Sequence, residues 1–87
     1  MNSEQIQNAV YEWARDNSSM TAPYGVLTGE HLNKKGKKYR SVTFGRARTL
    51  DATVEIYNRN FIVLKTSRHG SMVVKSYDDL KCELEKL

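Results

Sequence analysis

The sequence predicts a single α+β domain in which an N-terminal helix, an antiparallel meander of three or four strands and a C-terminal helix follow one another. Three observations support this fold class. The chain of 87 residues has the length of one domain. Near both ends of the chain, apolar residues recur at helical spacing. In the middle of the chain, apolar and polar residues alternate in segments that are separated by short turn sequences. We expect both helices to cover the same sheet face, which leaves the other face free for basic side chains.

The first helix is predicted to begin at Asn2 or Ser3, because Asn2 and Gln5 have the spacing of a reciprocal capping pair. It should end within Asn17-Ser18-Ser19. Its apolar residues fall on one stripe over two turns. They are Ile6, Ala9, Val10, Trp13 and Ala14. We therefore interpret Trp13 as a core anchor and not as a platform for stacking bases.

In the middle of the chain, alternation of apolar and polar residues predicts strands. Tyr39 to Phe44 should place Tyr39, Ser41 and Thr43 on one face and Arg40, Val42 and Phe44 on the other. Further alternation predicts a strand from Leu50 to Tyr57, an interior strand from Phe61 to Thr66 and a closing strand from Ser71 to Lys75. The stretch from Met20 to Asn33 contains Pro23 and Gly25, which interrupt regular structure. Within it, Tyr24, Val26 and Leu27 are compatible with either a short edge strand or a turn of helix.

The final helix is predicted to begin after Ser76, which is followed three residues later by Asp79. Its buried face should consist of Tyr77, Leu80, Leu84 and Leu87. Cys82 lies off that stripe. As the single cysteine, it excludes an internal disulfide and a cysteine-based zinc cluster, which is typical of a reducing cytosol.

Basic residues are concentrated in the middle of the chain. Between positions 34 and 75 there are eleven Lys and Arg residues against two acids, a local net charge of +9 in a chain of net charge +4. Such polarity favours an oriented polyanion as partner. Lys34 to Lys38 should form a mobile, glycine-interrupted loop. The residues predicted to contact phosphates are Lys34, Lys35, Lys37, Lys38, Arg40, Arg46 and Arg48, with Arg68 and His69 contributing.

These charges favour a non-enzymatic protein that binds RNA with little sequence specificity. Among the aromatic residues of the basic stretch, Tyr39 is the candidate for stacking on bases, whereas Phe44 is expected in the core. A second hypothesis is a protein-only inhibitor or adaptor that uses the same basic face or an exposed sheet edge. A third is a small nuclease with His69 as a base beside Arg68, although a solvated turn explains that pair more simply. The sequence contains no motif for a metal or cofactor.

Two segments resemble small accessory proteins of large T-even-type tailed phages. They are the stretch from Tyr39 to Tyr57 and the stretch from Phe61 to Ser71, which together cover about the second half of the chain. Within that group, the chain is similar to phage inhibitors of the ToxN endoribonuclease toxin. The resemblance implies a host-takeover or counter-defence factor that acts together with RNA in the host cytoplasm. It assigns no role to individual residues.

The small size also bears on assembly. A domain of this length buries roughly 60 to 65% of the surface that its unfolded chain exposes, so its core is thin. Exposed sheet edges and a thin core favour a homodimer. The polar start of the chain does not resemble a signal peptide, and we expect a soluble protein.

Overall fold

The computed structural model describes residues 1–17, 25–46 and 50–87, with the backbone alone at positions 46 and 50. Its elements, in chain order, are α1 (Ser3–Asn17), β1 (Leu27–Leu32), β2 (Lys38–Arg46), β3 (Leu50–Asn58), β4 (Phe61–Thr66), β5 (Gly70–Val74) and α2 (Tyr77–Glu85). The strands form one antiparallel sheet in the order β1-β2-β3-β4-β5. The predicted α+β class is therefore confirmed, with one strand more than expected.

The additional strand is β1. It pairs with β2 from Leu27 opposite Thr43 to Leu32 opposite Lys38. An edge strand therefore forms, but it begins at Leu27 and continues beyond the predicted residues, and Val26 precedes it. Almost all of its residues are exposed. An exposed edge strand lacks the alternation of buried and polar residues that identifies a strand in a sequence, which explains why the sequence left it undecided. Pro23 and Tyr24 lie outside the described residues.

Helix α1 begins as the capping pair predicts. The side chain of Asn2 accepts a hydrogen bond from the backbone N–H of Gln5, and the side chain of Gln5 accepts one from the N–H of Asn2, both at 2.9 Å. Helix α1 extends to Asn17, while Ser18 and Ser19, which we expected at its end, lie outside the described residues. Helix α2 also has its predicted cap, because the Ser76 hydroxyl accepts a hydrogen bond from the N–H of Asp79 at 3.1 Å.

Both helices pack on the same face of the sheet and close one apolar core. Trp13, half-buried, meets the fully buried Phe44 edge-on with ring centroids 5.6 Å apart, so its predicted role as an anchor is confirmed. The core residues are Ile6, Val10 and Ala14 of α1, Leu80 and Leu84 of α2, and Val42, Phe44, Ala52, Val54, Ile56, Ile62, Leu64 and Val74 of the sheet. We call this side of the sheet the covered face.

The antiparallel order divides the connections between two ends of the sheet. The β1–β2 and β3–β4 turns lie at one end, which we call the upper end. The β4–β5 turn lies at the lower end, where β2 ends and β3 begins. Strand β2 runs from Lys38 at the upper end to Arg46 at the lower end. At about 3.3 Å per residue, the two ends are roughly 26 Å apart along this strand.

Candidate nucleic-acid interface

The face of the sheet opposite the helices, here called the open face, carries side chains from the alternate strand positions. Strand register places Gly29, His31, Tyr39, Ser41, Thr43, Thr53, Glu55, Tyr57, Val63 and Lys65 on it. The predicted division of β2 is correct, since Val42 and Phe44 enter the core while Tyr39, Ser41 and Thr43 do not. No helix among residues 1–17, 25–46 and 50–87 packs on this face.

Four aromatic rings cross the upper end of the open face from strand to strand, and we call them the aromatic row. His31 of β1 lies 5.3 Å from Tyr39 of β2, and Tyr39 lies 5.1 Å from Tyr57 of β3, measured between ring centroids. Tyr57 then meets Phe61 of β4 edge-on at 5.3 Å. His31 and Phe61 are exposed and the two tyrosines are half-buried. The row thus forms a continuous series of ring contacts across four strands, with an exposed ring at each end.

A layer of mutually bonded polar groups borders the aromatic row. The Ser41 hydroxyl and the Nε2 atom of His31 are 3.0 Å apart, within hydrogen-bonding distance. This contact needs glycine at position 29, because a Cβ atom there would lie 2.7 Å from the same nitrogen. Beside them, the hydroxyls of Thr43 and Thr53 are hydrogen-bonded at 3.2 Å.

One ion pair belongs to this layer. The ammonium group of Lys65 donates to the Glu55 carboxylate at 2.9 Å. The hydrogen bond from this ammonium to Glu55 raises the pKa of Lys65 above its ordinary value of 10.5. Glu55 is buried although it lies on the open face, since neighbouring side chains cover it. The pair cancels its own charge, so it contributes little attraction for an anion.

The predicted lysine loop is the β1–β2 turn, which we call the lysine hairpin (residues 33–37). The Asn33 side chain accepts hydrogen bonds from the N–H groups of Lys35 and Lys37, each at 2.9 Å. Gly36 has φ of 79°, a left-handed conformation that glycine adopts without strain. The turn therefore holds Lys34, Lys35 and Lys37 next to the aromatic row, and all three side chains are exposed. Within the described part of the chain, none of them forms an ion pair.

Arg40 lies on the covered face and is engaged within the fold. Its guanidinium contacts the Glu30 carboxylate at 2.9 Å and donates to the side-chain oxygen of Gln7 at 3.0 Å. Lys38, at the start of β2, is exposed. An open groove of about 500 Å³ at the upper end adjoins the start of α1 and the covered face. It is lined by Ser3, Glu30, Leu32, Lys38, Arg40 and Ile56, and also by His31, Tyr39 and Tyr57 of the aromatic row.

The remaining predicted phosphate contacts lie elsewhere. Arg68 and His69 are exposed in the β4–β5 turn at the lower end, where the N–H of His69 donates to the Thr66 hydroxyl at 2.9 Å. The backbone of Arg46 reaches the same end, and Arg48 lies outside the described residues. The structure therefore groups Lys34, Lys35, Lys37 and Lys38 at the upper end and separates them from Arg68 and His69 by the length of the sheet.

Sequence reasoning missed Gln7, which is buried between α1 and the sheet. Its amide nitrogen donates to the carbonyl oxygens of Gly29 and Ser41, each at 3.1 Å, and its oxygen accepts from Arg40. The signal was present, since position 7 shares a helix face with Val10 and Ala14 at i+3 and i+7. The aromatic row was also missed beyond Tyr39, because it depends on cross-strand register.

Comparison of the chain with models of known families, with curated proteins and with solved structures finds no match. Within the described segments, no helix has the length and apolar character needed to cross a membrane. The same segments contain no group of three or more His, Cys, Asp or Glu side chains that could hold a metal ion. Fold and surface thus define a small α+β meander with one covered face and one aromatic, lysine-bordered open face.

Proposed function

We propose that this protein binds single-stranded RNA, without catalysis and with little sequence specificity, at the upper end of its open face. The observation that carries the proposal is the position of the aromatic row directly beside the lysine hairpin. Bases stack on exposed aromatic rings regardless of their identity, while ammonium groups neutralise the phosphates between them. The two kinds of side chain that this binding requires lie together here.

The shape of the site favours a single strand over a duplex. Stacking on Tyr39 or Tyr57 needs a base whose face is free, and a duplex keeps its bases paired and stacked on each other. Among the residues that the structure describes, no helix projects from this sheet surface to enter a groove. Lys34, Lys35 and Lys37 border the row on the side of the turn, where they reach a backbone whose bases lie on the rings.

RNA is favoured over DNA by the polar groups next to the row. The Ser41 hydroxyl is buried and bonded to the Nε2 atom of His31. The His31 imidazole itself is exposed beside Tyr39, so its second ring nitrogen can bond to a ribose 2′-hydroxyl, which DNA lacks. Base-specific readout has no comparable support. The groups of the polar layer are bonded to one another and present no fork of donors aimed at a base edge.

Arg40, Arg68 and His69 are left out of this site. Arg40 is already paired with Glu30, and the other two lie at the lower end. We further propose, from the resemblance to phage counter-defence proteins, that RNA binding serves to neutralise a host defence factor such as a toxin endoribonuclease in the host cytoplasm.

The contribution of the lysine hairpin is tested by fluorescence polarisation with short oligouridine RNA over a series of salt concentrations. Replacing Lys34, Lys35 and Lys37 by Ala should weaken binding and reduce the slope of log affinity against log salt by about 2, at about 0.7 for each lost contact to a single strand. The control, Arg68→Ala with His69→Ala, changes the two predicted phosphate contacts at the lower end and should leave the slope unchanged. Equal effects of the two variants would contradict the proposed location.

Stacking is tested by Tyr39→Leu, which keeps an apolar side chain but removes the ring. Loss of one stacked base should weaken RNA binding roughly 5- to 150-fold, the equivalent of about 1 to 3 kcal/mol. Tyr11→Leu is the control, because Tyr11 is exposed on α1, away from the site. Unchanged affinity in Tyr39→Leu would exclude the aromatic row as the binding surface.

The same samples separate RNA binding from the other hypotheses. Duplex RNA and single-stranded DNA of the same length should bind more weakly than the RNA strand. RNA recovered after incubation should be intact, whereas cleavage that is lost in His69→Ala would identify a nuclease. If a captured protein partner stays bound after nuclease treatment and the purified protein does not bind RNA, the protein acts as a protein-only inhibitor.

A further inference from the structure

Strand β5 forms one edge of the sheet, and its sequence lacks the usual protection of an edge. Its residues are Gly70-Ser71-Met72-Val73-Val74, with neither a charged residue nor a proline. Among the residues that the structure describes, no strand pairs with its outer side. Natural edge strands usually carry a charge, a proline or a bulge, because unpaired backbone N–H and C=O groups otherwise accept another strand.

Exposed apolar side chains flank this free backbone on both faces. Val73 is 55% exposed on the open face, and Met72 is 40% exposed on the covered face. The opposite edge differs, because β1 carries Glu30 and His31 within the strand and Glu30 pairs with Arg40. The β5 edge is therefore the one suited to accept a strand, and a partner strand there would cover apolar surface on both sides.

A second copy of the same chain is the partner that fits this edge. Another copy of β5 presents the same uncharged backbone and the same exposed Met72 and Val73, so antiparallel pairing about a two-fold axis protects both edges at once. Both ends of β5 carry charges of both signs. They are Arg68, Glu83 and Lys86 at the lower end, and Arg59, Lys75, Asp78 and Asp79 at the upper end. Neither end therefore carries an excess of charge that would oppose the pairing.

We propose that two copies of this chain pair through β5, antiparallel, to form a continuous ten-stranded sheet. Full overlap of the five residues centres the two-fold axis on Met72, so Met72 faces its own equivalent and Val73 faces Ser71 of the second copy. The two upper ends, with their aromatic rows, remain free in this arrangement. The pairing does not depend on RNA binding, so the two proposals succeed or fail separately.

The dimer is tested by sedimentation equilibrium of the full chain without nucleic acid. The wild type should be dimeric, and Val73→Lys should raise the dimer dissociation constant by at least about tenfold, because each interface contains the change twice. Leu32→Lys is the matched control, since Leu32 is an exposed apolar residue (63%) on the other edge. Circular dichroism verifies that both variants are folded. A monomeric wild type, or equal effects of the two substitutions, would overturn the proposal.

A cross-link tests the register. In a Cys82→Ser background, Met72→Cys should form an intermolecular disulfide on mild oxidation, because directly opposite residues of antiparallel strands have Cα atoms about 4.5 to 5.5 Å apart, within disulfide range. Leu32→Cys in the same background should remain reduced. A disulfide in Leu32→Cys and none in Met72→Cys would assign the interface to β1 instead and refute this arrangement.

Discussion

The two faces of the sheet are made by the same strands but obey different physical rules. On the covered face, the middle positions of β2 and β3 are apolar and buried, as Val42, Phe44, Val54 and Ile56 show. On the open face, the intervening positions carry rings and polar groups that contact each other across strands. The covered face stabilises the domain by removing apolar surface from water, whereas the open face retains surface with which a ligand can make contact.

The largest expected difference between the faces concerns aromatic residues. Phe44→Ala should lower the free energy of unfolding by about 3 to 5 kcal/mol, because it removes a fully buried ring and leaves a cavity against Trp13. Tyr57→Ala on the open face should cost about 1 to 2 kcal/mol, since a half-buried ring loses less apolar contact. Urea unfolding of both variants measures the difference. Similar losses would indicate that the open face is part of the core.

The covered face was largely predictable because its signal is periodic. Alternation along β2, β3 and β4 and the stripe on α1 identify which residues face inward before any partner is known. The capping pairs that begin at Asn2 and Ser76 identify where each helix starts, and each pair involves residues only three positions apart. Local information of this kind does not depend on how the chain folds back on itself.

The open face was only partly predictable because it depends on register and connection. The sequence placed Tyr39 outward, but its neighbours across the strands follow from the pairing of β1 with β2 and of β2 with β3. The positions of the basic residues also depend on how the strands run and pair, so the sequence alone did not predict them. Lys38 and Arg46 both belong to the basic stretch and to one strand, yet they are its first and last residues and therefore lie at opposite ends of the sheet.

Substitutions of polar residues on the two faces should change the free energy of unfolding by intermediate amounts. Gln7→Ala should cost about 2 kcal/mol, because it removes a buried amide that bonds to two carbonyl oxygens and to Arg40 beneath α1. Glu55→Gln on the open face should cost less than about 1 kcal/mol. The amide oxygen still accepts from Lys65, and the ammonium group, half exposed, is solvated. Thermal and urea unfolding compare the two, and a greater loss in Glu55→Gln would reverse the assignment of the faces.

The smallest expected effect on stability is that of Gly29→Ala, which tests the polar layer of the open face. Alanine favours the strand over glycine by roughly 0.5 to 1 kcal/mol through the entropy of the unfolded chain. Against this, the new Cβ would lie 2.7 Å from the Nε2 atom of His31, so the imidazole must swing away and lose its bond to Ser41. The two effects are similar in size, so the free energy of unfolding should change by less than about 1 kcal/mol.

The chemical shifts of the His31 ring should nevertheless change in Gly29→Ala, and selectivity for RNA over DNA should fall if this imidazole contacts the ribose. Unchanged His31 shifts would show that the ring does not occupy the space above Gly29, and the polar border of the aromatic row would then have to be assigned to other groups.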